Sequence, residues 1–323
     1  MKAIVHDTYG SADVLELRDI DTPAPGAGEV LVRIQKAALN ASDWYMMAGL
    51  PYVVRLAFGV PGPRSRIRGH DFAGEVVDVG DGVERFRPGD LAFGGTSGSF
   101  AEFATVGEDT LAVLPADVST EAAAATPVAG LTALQGLRDH GRLQSGERVL
   151  VVGASGGVGS FAVQIARALG ASVTGVCGPS NVDLVESLGA DRVIDYSRED
   201  FTDTTERFDV LLDIRATQPL GRCLRLLEPG GRYVLAGGPR GRWIGPLAAS
   251  FKVLVARPFV GPSLHNFVAK VTRSDADALA TLLADGQVVP AIDRTYPLAE
   301  VPDAMRYWET SSVRGKISID CAQ

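Results

Sequence analysis

The chain has 323 residues, enough for two domains of ordinary size, and its 46% hydrophobic and 22% charged residues describe a folded protein rather than a disordered one. A net charge of −8 argues against a general nucleic-acid partner, which would favour a basic patch. No apolar run approaches bilayer length, no signal-peptide h-region follows Met1-Lys2, and Cys177, Cys223 and Cys321 are too scattered for a disulfide framework. The expected setting is cytoplasmic, without a membrane or nucleic-acid partner.

Residues 1–120 read mainly as β structure. Short strand-like runs at Ala3–Val5, Leu15–Leu17, Val30–Ile34, Phe72–Val79 and Phe100–Val106 are punctuated by turn chemistry such as Pro23-Ala24-Pro25-Gly26 and Arg87-Pro88-Gly89-Asp90. Such a density of short strands predicts a small barrel or sandwich. Asn40–Ala48 reads as a short helix and Gly49–Arg68 as a long surface loop. Thr120–Asp139, rich in Ala and Leu, reads as one helix capped by Ser119 or Thr120.

From there the pattern alternates. Strand-like runs at Val149–Val152, Ser172–Val176, Arg192–Ile194, Val210–Leu212, Tyr233–Ala236 and Val253–Val255 are interleaved with helical runs at Gly157–Leu169, Val182–Leu188 and Leu220–Leu227. Alternation of this kind implies a doubly wound parallel sheet. Helices over Ser274–Asp285 and Glu300–Glu309 and a strand over Gly315–Ile319 follow, a tail expected to return to the N-terminal β domain.

The most informative stretch is Glu147–Ala171, where a β-branched run leads into Gly153, Gly156, Gly157 and Gly159 and then into an amphipathic helix. Strand, glycine turn and helix together present backbone N–H groups and the positive helix end to a phosphate, and a Cβ in the turn would block a pyrophosphate. Ser155 and Gly156-Gly157-Val158 are therefore candidates for binding a dinucleotide. Gly153-Ala154-Ser155-Gly156-Gly157 also fits the nucleophile elbow of a hydrolase, for which His265 is the one downstream imidazole. The second strand ends Cys177-Gly178-Pro179-Ser180-Asn181 without the carboxylate that would repel a 2′-phosphate, which leans towards NADP(H), with Ser180 and Asn181 as donors. No Arg or Lys lies between Cys177 and Asp191, so a neutral loop accepting either cofactor stays open.

Motifs in a fixed order, MKAIV, GEVLVRIQKAALNASDW, RGHDFAGEVVDVG, FRPGD, GSFAEF, TALQGL, GASGGVG and LEPGGRYVLAGG, make the chain resemble the medium-chain dehydrogenase/reductase superfamily along nearly its whole length. It is most similar there to the zinc-independent NADPH:quinone oxidoreductases, the zeta-crystallin-like family. The resemblance implies an α/β protein with a GroES-like β-barrel substrate domain at 1–122, rejoined by 263–323, and a Rossmann doubly wound parallel sheet domain at 123–262. It implies NADPH as cofactor, a homodimer formed by edge strands near Val253–Pro258, and hydride transfer to a small apolar conjugated carbonyl compound such as a quinone. Reduction of an enone or enoyl thioester is the alternative within enzymes, and a non-catalytic NADPH-binding sensor the alternative from another class.

By matching positions, the resemblance implies catalytic roles for Tyr45, as donor to the substrate or the nicotinamide amide, and for Asn40, as holder of the carbonyl oxygen. Each also has a purely structural reading, as an aromatic anchor and a turn-forming Asn. Cofactor contacts are implied for Tyr45, Thr132, Ser155, Gly156, Gly157, Val158, Gly178, Ser180, Asn181, Tyr196, Gly237, Gly238, Phe259, Val260 and Gly261. Zinc-dependent relatives hold their metal through a Cys where Asn40 stands and a His matching His70; Val128-Ala129-Gly130 adds no ligand, so no metal is expected. His70 is expected to hydrogen-bond within a β turn, with Asp71 charged and accessible to substrate. Asp213-Ile214-Arg215-Ala216-Thr217 departs from the family's stretch beside the nicotinamide ribose, putting contacts at Thr217 in doubt. Substrate choice is expected from the loops 40–68 and 242–262, with Trp44, Tyr52, Phe58, Trp243 and Phe259 shared between a stacking wall and the core.

Overall fold

A computed structural model describes residues 1–238 and 245–322. Two compact units emerge, Met1–Leu131 with Lys270–Gln323, and Thr132–Ala269. The first begins with β1 (Lys2–Val5) and β2 (Glu16–Asp19), an antiparallel pair, and β3 (Glu29–Leu39). β3 runs well beyond the expected Val30–Ile34 because its register shifts twice against β4, and each bulge re-aims the strand. Next come α1 (Ala41–Ala48), the short α2 (Arg55–Phe58) inside the expected loop 49–68, β4 (Asp71–Val79), β5 (Leu91–Gly95), β6 (Phe103–Gly107) and β7 (Leu111–Val113). The single helix expected over Thr120–Asp139 is two, α3 (Thr120–Ala124) and α4 (Pro127–Gln135), followed by a π turn at Gly136–His140. Ser119 caps α3, its hydroxyl accepting the Ala122 N–H at 3.1 Å. Pro127 cannot donate to the preceding turn and starts a new helix instead.

The second unit carries β8 (Arg148–Val152), α5 (Gly157–Ala168), β9 (Ser172–Cys177), α6 (Val182–Ser187), β10 (Arg192–Asp195), β11 (Phe208–Asp213), α7 (Leu220–Leu224), β12 (Leu227–Leu235), α8 (Gly245–Ala256) and β13 (Ser263–Asn266). All strand pairs are parallel, in the order β10-β9-β8-β11-β12-β13. This is the two-halved winding of a dinucleotide-binding sheet, whose order reverses between β8 and β11. Val149, Leu150, Val151, Val210, Leu211 and Leu212 at its centre are fully buried, as strands covered on both faces require.

Val253–Val255, expected as a strand, belongs instead to α8, with Val253 turned into the core and Leu254 and Val255 exposed. A β-branched triplet cannot be told from a helix segment by composition alone. The edge-strand pairing expected near Val253–Pro258 falls with it, since the sheet ends on β13, a strand that the short run Ser263–Asn266 had not announced.

The tail supplies α9 (Arg273–Ala284), β14 (Ile292–Pro297), α10 (Val301–Thr310) and β15 (Lys316–Asp320). β15 inserts antiparallel beside β3, giving the sheet order β14-β15-β3-β4-β5-β7, with β6 also paired to β3. The tail thus completes the N-terminal β unit. Leu298, Val301, Ala304, Met305, Ile317 and Ile319 join Val32, Ile34, Phe72 and Phe100 in one core.

A buried ionic knot fastens the returning strand. Lys316, 2% exposed, extends Nζ to Asp71 Oδ2 at 3.1 Å and to Asn40 Oδ1 at 2.5 Å. Asp71 Oδ2 also accepts from Asn40 Nδ2 at 2.9 Å, and its Oδ1 accepts the Val128 N–H at 3.0 Å, at the head of α4. Substituting Lys316→Met strands the Asp71 charge in the core and is expected to cost about 3–5 kcal/mol, read from the urea midpoint. Adding Asp71→Asn should restore much of the loss, because the lone charge is then gone.

Candidate active site

In the second unit the ends of four strands, β8, β9, β10 and β12, bring most of the expected cofactor residues to one edge. β8 runs into the glycine turn, and Gly153 adopts φ +91°, a conformation glycine reaches without strain. A Cβ on Gly159 would run into the Gly153 carbonyl, whereas one on Gly156 would meet only that carbonyl, at 3.6 Å. The first glycine contact is internal packing; the second faces open space at the start of α5. The first N–H groups of α5 have no intrahelical acceptor and point out of the turn.

At the end of β9, Asn181 Nδ2 donates to Ser155 Oγ at 3.1 Å, joining the two loops expected to flank a dinucleotide. Asn181 is 5% exposed, and its Oδ1 has no partner among the described residues, so a buried acceptor stands ready for a donor such as a ribose hydroxyl. Tyr196 follows β10 and lays its hydroxyl over Gly178, 2.9 Å from where a Cβ would stand. Ser180 is exposed on the same loop. Gly237 and Gly238 follow β12, and a Cβ on Gly237 would strike the Ile214 carbonyl. An open pyrophosphate cradle beside an orphaned acceptor fits a dinucleotide.

Phe259, Val260 and Gly261 are not part of this grouping. They precede β13, at the edge of the sheet opposite the glycine turn, because β13 runs parallel to β12. Phe267 and Val268, which follow β13, stand at the cofactor edge instead; Phe267 stacks on His140 at 4.3 Å and Val268 is 88% exposed. The missed signal was the four-residue strand Ser263–Asn266, too short and polar to be recognised. Thr132 lies half-buried on α4.

The first unit holds the other candidates. Tyr45 is half-buried on α1, edge-on to Trp44 at 5.2 Å. α1 starts where the Asp43 carboxylate accepts the Asn40 N–H at 2.8 Å and stops at Gly49, φ +62°. The Asn40 amide is fully committed, to Asp71, Lys316 and, at 3.5 Å, the Ala38 carbonyl. It therefore has no free donor for a substrate oxygen and acts as a positioning group for α1. Asp71, expected charged and accessible, is completely buried against Lys316.

The aromatic residues expected to be shared between a stacking wall and the core have different surroundings, and Phe259 is 82% exposed. Trp44 packs on the core beside Trp308, Tyr52 lies under Arg55, and Phe58 is exposed. Trp243, with Arg242 at the start of the expected specificity loop, lies outside the described residues.

His70 does not bond within its own turn. Its Nδ1 meets Asp43 Oδ1 at 2.6 Å, and since a carboxylate only accepts, Nδ1 carries the proton. Two of the possible metal donors are thus engaged by protein partners, Asn40 offers no thiolate, and no group of three or more His, Cys, Asp or Glu among the described residues could hold a metal. The donor set does not fit zinc. The hydrolase alternative fares no better: Ser155 is bonded to an amide, and His265 lies against His140 at 5.9 Å. The thiols are buried, and burial pushes Cys177 up to about 11 and Cys223 up to about 12.

Burial by itself would lower the pKa of His70; the charge and hydrogen bond of Asp43, with Asp71 behind it, outweigh that and raise it above 6.5. A raised histidine stabilises the fold fully below its unfolded value and loses that contribution as pH climbs through the folded one. The difference in urea midpoint between the wild type and His70→Gln should therefore shrink as pH rises past 6.5, and the imidazole proton resonance should titrate above that value.

Two family models match the chain, an alcohol dehydrogenase GroES-like domain over residues 26–116 and a zinc-binding dehydrogenase domain over residues 188–319. The chloroplast envelope quinone oxidoreductase homolog of Arabidopsis thaliana is 32% identical, covering 99% of this chain and 98% of its own. The acryloyl-coenzyme A reductase of Metallosphaera sedula is 30% identical over 98% of this chain and 99% of its own. Among solved structures, the Escherichia coli quinone oxidoreductase complexed with NADPH superposes with a TM-score of 0.83, at 26% identity over 99% of this chain and all of its own. No helix among the described residues is long and apolar enough to cross a membrane. With its two matched domains, its sheet order and relatives of this identity along the whole chain, the protein belongs to the medium-chain dehydrogenase/reductase superfamily, alongside the quinone oxidoreductases.

Proposed function

We propose that this medium-chain reductase is a zinc-independent enzyme that uses NADPH to reduce a quinone or a similar apolar conjugated carbonyl compound. The observation that carries the reading is the open glycine cradle at the reversal point of the parallel sheet, joined through Ser155 to the buried acceptor of Asn181. When bound there, a reduced nicotinamide supplies the hydride. The chain's own part is to bind and orient: the α5 N–H groups hold phosphate oxygens, Asn181 takes a ribose hydroxyl, and Tyr45 donates to the oxygen that gains charge.

NADPH is favoured over NADH because the loop after β9 has no carboxylate and presents Ser180 as a neutral donor, with the hydroxyl of Tyr196, which follows β10, set beside Gly178. Reduction of an enone or enoyl thioester at its β-carbon needs the same geometry, and the similarity to acryloyl-coenzyme A reductase favours it as the second reading. We assign the enzyme to the cytoplasm, on its free buried cysteines, and to a homodimer, for which the outer edge of β13, unpaired among the described residues, is available.

Oxidation of NADPH and NADH across a panel of quinones and enones, with and without a chelator, tests the reading. Turnover with NADPH that the chelator leaves unchanged is the expected outcome. NADPH binding without turnover of any acceptor would make the chain a sensor instead. Tyr45→Phe should lower kcat by about a hundred-fold, the loss typical of a missing oxyanion donor, while the Kd for NADPH changes little.

A further inference from the structure

The turn after β11 brings Arg215 to the point where the sheet order reverses. Asp213, 1% exposed, closes β11 and accepts the N–H groups of Arg215 at 3.0 Å and Ala216 at 2.7 Å, while the Tyr233 hydroxyl donates to its other oxygen at 2.8 Å. Ala216 is held with φ +47°, left-handed backbone that a non-glycine residue adopts only under constraint. The Ile214 N–H donates to the carbonyl of Val152, the last residue of β8, at 3.2 Å. The turn is thus closed on itself by Asp213 and tied to β8 through Val152 and to β12 through Tyr233.

The Arg215 stem lies across Gly153, the first glycine of the cofactor turn. A Cβ there would stand 2.8 Å from Arg215 Cγ and 3.2 Å from Cδ. The side chain is exposed, and among the described residues its guanidinium has no ion pair and no hydrogen bond. The loops expected to carry the dinucleotide, Gly153–Gly159 and Gly178–Asn181, contain no Lys or Arg. A diphosphate bears two negative charges, and a helix N-terminus offers about half a positive one. An arginine laid over the turn makes up the deficit and presents two parallel donors to adjacent phosphate oxygens.

We propose that Arg215 is the cation that grips the diphosphate of the bound dinucleotide. This rests on the cofactor reading above and deepens it by naming a residue the glycine motif does not contain. The 2′-phosphate is the wrong target, because the loop that would face it follows β9, on the far side of β8 from Arg215 and about 10 Å away at ordinary strand spacing.

Calorimetric titration of the wild type, Arg215→Gln and Arg215→Lys with NADPH, NADH and ADP-ribose decides the matter, with circular dichroism as a check on folding. Arg215→Gln should weaken all three ligands by the same factor, roughly ten-fold or more, and flatten the salt dependence of Kd, with Arg215→Lys recovering part of the loss. An unchanged Kd for ADP-ribose overturns the assignment. So does a loss confined to NADPH, which would mean a 2′-phosphate contact, or a rise in acceptor KM alone. A wild type that binds none of the three overturns the cofactor reading itself, and this assignment with it.

Discussion

The cofactor unit depends on one close approach. β8, the glycine turn and α5 can sit where they do only because Gly159 lets the Gly153 carbonyl come closer than any side chain would allow. That contact sets the angle at which α5 leaves the sheet, and so the direction in which its first N–H groups point. Gly156 then leaves open the space those groups face. The two glycines therefore do different work: one sets the angle of approach, the other leaves room for a ligand. Around them the sheet contributes only placement, since in a parallel sheet all strand ends with the same polarity share one edge.

The N-terminal unit has a different organising device. Two buried carboxylates, Asp43 and Asp71, each have a designated partner, His70 for one and Lys316 for the other, and Asn40 is hydrogen-bonded to both acids. Buried charge of this kind adds little net stability compared with an apolar core, but it penalises any arrangement that separates the partners. Here the consequence is positional. The knot fixes where α1 starts, where β15 re-enters and where α4 begins, and Tyr45 takes its place one turn into α1.

How much of this was legible follows from which signals are local. The glycine turn, the order of alternating elements and the cap at Ser119 are written in neighbouring residues and were readable. The Asn40 commitment was not, because its partner Lys316 lies 276 residues away and looks in the sequence like an ordinary strand residue. Val253–Val255 misled because a helix packed on a sheet and a buried strand share the same apolar residues. Phe259–Gly261 misled through chain direction: the residues that reach the cofactor edge follow β13 rather than precede it, and β13 itself was invisible. In each failure a short-range pattern stood in for a fact that only pairing could supply.

The same reasoning explains why this fold can do without a metal in the chemistry proposed for it. A Lewis acid is needed most where the whole charge of the transition state accumulates on one oxygen. In a quinone or an enone the hydride adds to a conjugated system, and the charge is spread before it reaches oxygen. One phenol held in place is then a sufficient donor. In this chain the residues matching a metal site have been turned inward, with Asn40 gripping Lys316 and His70 gripping Asp43, so positions that could coordinate an ion instead brace the helix carrying that phenol. In the proposed reaction, structural rigidity at those positions goes together with a hydrogen-bonding electrophile in place of a metal.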